Sequence, residues 1–128
     1  MPNHLSVNRS HIPAAGRGVF AKKSYQKGDL IEECPVILLS KRSIPHIDKT
    51  ELANYYFEWG MDYKKGAIAL GLGSLYNHSF ESNAEFNQDF KQEVVRITAI
   101  TTIRKNTEIT VNYNGDPADD TPLWEGAL

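Results

Sequence analysis

The chain has 128 residues, 41% hydrophobic and 23% charged, the size and composition of one globular domain with a packed core. Its net charge of -2 lacks the basic surplus of a sequence-independent nucleic-acid binder, so direct nucleic-acid binding is not expected. Cys34 is the single cysteine, which excludes an intramolecular disulfide and a multi-cysteine zinc site.

The first residues, Met1 to Leu5, lack the apolar core of a signal peptide, and no run approaches the roughly 20 apolar residues of a membrane span. A cytoplasmic protein without a membrane partner is therefore the expectation. Gly16 and Gly18 then bracket Arg17 ahead of a strand predicted over Gly18–Ala21. Glycine admits positive φ and close backbone approach to a ligand, and the same pair also suits a plain turn. With no third glycine and no helical pattern after it, this is not the dinucleotide fingerprint.

After the turn Lys27-Gly28-Asp29, an apolar run predicts a strand over Leu30–Leu39, in which Cys34 reads as a small buried hydrophobe. One helix is predicted near Asp48–Tyr55, with Asp48 as its cap and Glu51 at the capping-box position. Further strands are predicted over Ala67–Leu70, Ala84–Gln88, Glu93–Ile100 and Glu108–Asn112, with clean apolar–polar alternation from Val95 to Ala99. Short strands between turn signals make the chain mostly β. The tail from Gly115 reads as irregular, yet it carries Trp124, a residue that rarely lacks a partner surface.

Asn77-His78-Ser79, with Asn83 beyond it, offers amide and imidazole groups that can hold polar ends of a ligand or simply form a polar turn. One histidine without neighbouring ligands falls short of a metal set, so no metal is expected. Adjacent residues of an extended chain point to opposite sides, which disfavours a His78–Ser79 nucleophile pair. Tyr113, at a strand's end, reads on its own as a core-edge tyrosine with a wet hydroxyl.

Three segments stand in a telling order: Gly16-Arg17-Gly18-Val19-Phe20-Ala21, then Leu75-Tyr76-Asn77-His78-Ser79, then Glu108 to Tyr113. Together they resemble the signature of SET-domain protein lysine methyltransferases, a resemblance running from about Leu5 to Trp124. Lys27 to Ile31 is similar to the family's turn after its first strands, and Asn54 to Phe57 and Ala67 to Gly71 look like segments of compact bacterial and virus-encoded members. The resemblance implies a mostly β, SET-type fold (a β-clip) of small sheets with one short helix and a C-terminal pseudoknot, a rare exception to the rule against threading. It implies a single domain over residues 1–128, with the irregular tail 115–128 completing the cofactor site.

The activity implied is methyl transfer from S-adenosylmethionine to a lysine side-chain amine, leaving S-adenosylhomocysteine. Arg17, Gly18, Val19 and Phe20 would meet the cofactor chiefly through backbone atoms, and Asn77 and His78 would bind its polar groups and adenine. Tyr113 would be the catalytic residue and touch the cofactor, Trp124 would cover the adenine or close the site from the tail, and Tyr55, Phe57 and Tyr76 would line the lysine channel. The implied partner is a lysine-bearing protein or peptide, cytosolic or, after delivery to a host compartment, chromatin-associated; some compact relatives are homodimers. Departures from the pattern are Ser82 in place of a proline and Asn106-Thr107 in place of a glycine and an acid; a cysteine-rich module is lacking too. Two alternatives stay open: a binding module that keeps the fold without useful catalysis, and methylation of a small molecule or free amino acid.

Overall fold

The computed structural model describes residues 4–62 and 64–123. Two sheets divide the strands. The first combines β1 (Leu5–Arg9), β2 (Arg17–Ala21), β6 (Asn77–His78) and β9 (Glu108–Val111), in the spatial order β1-β2-β9-β6. The second combines β3 (Leu30–Leu39), β4 (Tyr56–Trp59), β5 (Lys65–Ala69), β7 (Ala84–Asp89) and β8 (Val94–Ala99), in the order β4-β5-β3-β8-β7.

The long strand β3 organises the second sheet because it changes partner along its length. Its first half pairs antiparallel with β8 as far as Pro35 opposite Val94, and its second half, from Val36, pairs with β5. Pro35 stands at this exchange, where its missing N–H costs the ladder least, and its carbonyl accepts Leu70 N–H at 2.8 Å. On β8 the alternation read in the sequence appears as burial: Val95, Ile97 and Ala99 point into the core. Arg96 points outward, to Glu33 and Asp89 at 2.8 and 2.9 Å.

The helix expected over Asp48–Tyr55 is replaced by two separate turns. A one-turn α-helix, α1 (Ile44–Ile47), ends at Asp48, and a 3-10 turn follows over Glu51–Asn54. Thr50, not Asp48, caps the second turn by accepting Leu52 N–H, and the Asp48 carboxylate instead accepts the Tyr56 hydroxyl at 2.7 Å. Neither turn has a buried residue, so no apolar face exists to hold a longer helix against the core. The sequence reading also passed over β1, β4 and β6. Two of these are held by their sheet partners, β1 by its register with β2 and β4 by its register with β5.

The C-terminal strand β9 determines the site. It inserts between β2, to which it is antiparallel, and β6, to which it is parallel, with Asn77 opposite Thr110 and His78 opposite Val111. Ile109 and Val111 are fully buried beside Val19, Ile97 and Ile103, so this insertion is locked by the core itself. It brings residues near 17, 77 and 113 together from distant parts of the chain, the juxtaposition the pseudoknot expectation requires.

Candidate active site

Tyr113 follows β9 and is held at both ends. Its backbone N–H donates to His78 Nδ1 at 3.0 Å, and its hydroxyl donates to the Tyr76 carbonyl at 2.8 Å. The hydroxyl proton is thus directed to the protein backbone. Burial, with Tyr55 and Glu108 adding to it, pushes the Tyr113 pKa up to about 12. The group therefore stays a phenol at physiological pH and is unsuited to act as a general base.

Because His78 Nδ1 accepts a hydrogen bond, its neutral ring carries the proton on Nε2. The side chain is buried among Phe80 and Tyr113, with ring centroids 4.4 and 5.2 Å away, and burial lowers its pKa. Nε2 is buried with no hydrogen-bond partner among the described residues.

Asn77 is turned the other way. Its amide donates to the Arg17 carbonyl at 3.0 Å and to Glu108 Oε2 at 2.8 Å, while Glu108 Oε1 accepts Ser10 Oγ–H at 2.7 Å. Glu108 thereby ties β6, β9 and the chain around β2 together. Gly18 is required by this closeness: a Cβ there would strike the Glu108 carboxylate and sit 2.8 Å from Asn77 Nδ2. Asn83 fastens β9 from another side, donating to Glu108 O and accepting Thr110 N–H, both at 2.9 Å. Neighbouring Ser82, the departure noted in the sequence, has a buried hydroxyl without a partner among the described residues.

A cavity of about 60 Å³ lies against Tyr113. Tyr55, Phe57 and Tyr76, the channel candidates, line it together, and Tyr56 and Phe86 join them. Phe86 was not singled out by sequence; its signal was only an apolar residue on a predicted strand, and its position is fixed by an edge-on contact with Phe57 at 4.9 Å. A larger groove of about 830 Å³ shares Phe57, Phe86 and Tyr113 with the cavity. Asp48 and Glu58 are its charged lining residues.

The remaining candidates divide clearly. Val19 points into the core and Phe20, on the opposite face of β2, is buried edge-on to His11 with ring centroids 6.0 Å apart, whereas Arg17 is exposed. Trp124 lies outside the described residues. A bound S-adenosylmethionine would fit this region on two grounds. His78 Nε2–H is a buried donor without a partner among the described residues, and Gly16, at φ +74°, leaves open space where a side chain would stand. Among the described residues no group of three or more His, Cys, Asp or Glu is arranged for a metal, and no helix is long and apolar enough to cross a membrane.

Known proteins share the sequence pattern and the fold. The SET domain family model matches residues 16–114. A histone-lysine N-methyltransferase of Schizosaccharomyces pombe, H3 lysine-37 specific, is 33% identical over 99 residues, covering 77% of this chain and 66% of that protein. This chain thus spans just under two thirds of that relative. A Plasmodium falciparum crystal structure assigned as a histone methyltransferase superposes with a TM-score of 0.69 at 27% identity, covering 88% of this chain and 95% of the other. The Chaetomium thermophilum Polycomb Repressive Complex 2 bound to GSK126 superposes with a TM-score of 0.73 at 19% identity, covering 85% of this chain and 15% of the other, a likeness of fold alone. With the matched stretch containing both the Asn77-His78 strand and the tyrosine it encloses, the chain belongs to the SET domain family.

Proposed function

We propose that this protein is a protein-lysine N-methyltransferase that uses S-adenosylmethionine. The observation that carries the reading is the placement of a buried phenol, Tyr113, anchored through its hydroxyl to the Tyr76 carbonyl, at the aromatic cavity formed with Tyr55, Phe57 and Tyr76. The relative specific for histone H3 lysine-37 supports the substrate class, and a Polycomb Repressive Complex 2 structure that shares the fold at 20% identity, with a TM-score of 0.73, is bound to S-adenosylmethionine, in keeping with the cofactor.

When bound, the cofactor supplies an electrophilic methyl group on a sulfonium. The chain's residues have three tasks. Tyr55, Phe57 and Tyr76 wall the cavity, so the alkyl stem of a lysine is held between aromatic faces, which also favour a cationic nitrogen. Removal from water favours the neutral amine by lowering its pKa from about 10.4 in free lysine. The Tyr113 oxygen, its proton committed to the Tyr76 carbonyl, accepts an amine hydrogen and so aims the nitrogen lone pair.

Arg17 through Phe20 would contact the cofactor along the backbone, and Asn77 and His78 would hold its polar end. Trp124 and the tail 115–128 would close the site. The substrate is a lysine-bearing polypeptide, and the groove beside the cavity, with Asp48 and Glu58 on its rim, suits a basic segment. Calorimetry with S-adenosylmethionine tests the reading: binding at micromolar concentrations is expected, and no heat at near-millimolar cofactor would overturn it.

A further inference from the structure

Glu32, on β3, is a buried carboxyl that the chemistry above leaves unused. It is 8% exposed, and no Lys, Arg or His forms an ion pair with it among the described residues. Such a group is costly to bury unless its oxygens are satisfied. Both are: Oε1 accepts the Tyr76 hydroxyl at 2.8 Å, and Oε2 accepts Leu72 N–H at 3.0 Å. Gly71, at φ +63°, lets the chain pass directly over the carboxyl, since a Cβ there would strike Oε2. The Cys34 thiol fills the space beneath, beside Glu32 and Gly73.

The segment clamped in this way is the one that holds Tyr113. Tyr76 is fixed at its hydroxyl by Glu32, lines the cavity, and accepts the Tyr113 hydroxyl on its carbonyl. We infer that Glu32 is a positioning residue for methyl transfer: through Tyr76 it sets the carbonyl that orients the Tyr113 hydroxyl. The inference rests on the reading above. Cofactor affinity is separable from it, because Asn77 is anchored independently by Arg17 and Glu108.

The test compares Glu32→Met, Glu32→Gln and Tyr76→Phe in the full chain, with kcat and KM for a lysine peptide and with S-adenosylhomocysteine affinity. Methionine keeps the volume and removes both acceptors, so kcat falls at least tenfold while KM and cofactor affinity stay within threefold. Glutamine can accept from Leu72 N–H and donate to the Tyr76 oxygen, so it restores kcat to within threefold of wild type. Tyr76→Phe, which keeps the ring and the carboxyl, lowers kcat at least fivefold and carries the test if Glu32→Met does not fold.

In a Tyr113→Phe background the effect of each change shrinks below twofold, because the group being positioned is gone. Unchanged kcat in folded Glu32→Met or Tyr76→Phe, or an undiminished effect beside Tyr113→Phe, overturns the inference. Should the wild-type chain bind cofactor but transfer no methyl, the activity reading fails and a second readout decides. The ring carbon bearing the hydroxyl of Tyr113, labelled with carbon-13 and assigned with Tyr113→Phe, is expected to shift in Tyr76→Phe; an unmoved resonance overturns the linkage.

Discussion

Replacing Tyr113 with Phe removes one oxygen and keeps the ring against His78 and the cavity. Two effects follow, and they differ in size. The hydrogen bond to the Tyr76 carbonyl is lost, which costs about 1–2 kcal/mol once the acceptor left behind is counted. At ~2.1 cal/mol/K per residue the unfolding entropy of 128 residues is ~0.27 kcal/mol/K, so the midpoint falls by about 4–7 °C. The rate effect should be larger, because the amine loses the acceptor that aims it: a drop of about 100-fold corresponds to roughly 2.7 kcal/mol of transition-state stabilisation.

The assay is radiolabelled methyl transfer to a lysine peptide at saturating cofactor, at least 20 °C below the measured midpoint so that stability does not enter. Since the phenol titrates only near 12, the pH–rate profile between pH 7 and 9 should keep its shape while its height falls. A Tyr113→Phe protein with the expected lower midpoint and a rate within twofold of wild type would refute the catalytic role. In that outcome the tyrosine would be a structural brace and nothing more.

Gly18→Ala places a methyl group against Glu108 and Asn77, so the hydrogen bond joining them must break; a loss of about 1.5–3 kcal/mol in chemical denaturation and a weaker S-adenosylhomocysteine affinity by calorimetry are expected. His78 has a folded-state pKa lowered by burial, so the unfolded chain binds the extra proton: stability is full above about pH 6.5 and falls as pH drops below it, by at most about 1.4 kcal/mol per unit. Thermal midpoints of wild type and His78→Gln between pH 7 and 5 would show this as a steeper slope in wild type, and equal slopes would contradict it. Cys34 is fully buried and its thiol is pushed well above the usual range by burial first and Glu32 next. A thiol reagent at pH 8 should therefore leave the folded chain unlabelled and react fully in denaturant.

How far the sequence discloses the site depends on which forces make each part. The strands over Leu30–Leu39 and Val94–Ala99 follow from local apolar patterning, and their inferred positions match the structure closely. The helix near Asp48 misled because Asp48 and Glu51 match a capping box by identity, while a carboxylate's partner is chosen by what folds next to it, here the Tyr56 hydroxyl. β6 is invisible locally: two polar residues become a strand only because β9 arrives beside them. Family resemblance supplied what patterning could not, namely that residues near 77 and 113 meet. It did not supply the direction in which their side chains point.

That direction changes the division of labour among the site residues. Both Asn77 and His78 spend side-chain hydrogen bonds on the protein itself, one on Arg17 and Glu108, the other on the backbone of Tyr113. Tyr113 is consequently fixed by two groups from a single stretch of chain, the Tyr76 carbonyl at its hydroxyl and the His78 imidazole, which accepts its backbone N–H and also contacts its ring. A phenol so held loses little orientational freedom when a substrate enters, so its alignment is settled by folding and need not be paid from substrate binding. It follows that changes around residues 71–78 that spare every ligand-contacting atom should depress turnover more than affinity. A series of such variants in which KM rises while kcat holds would place the alignment in the substrate complex instead.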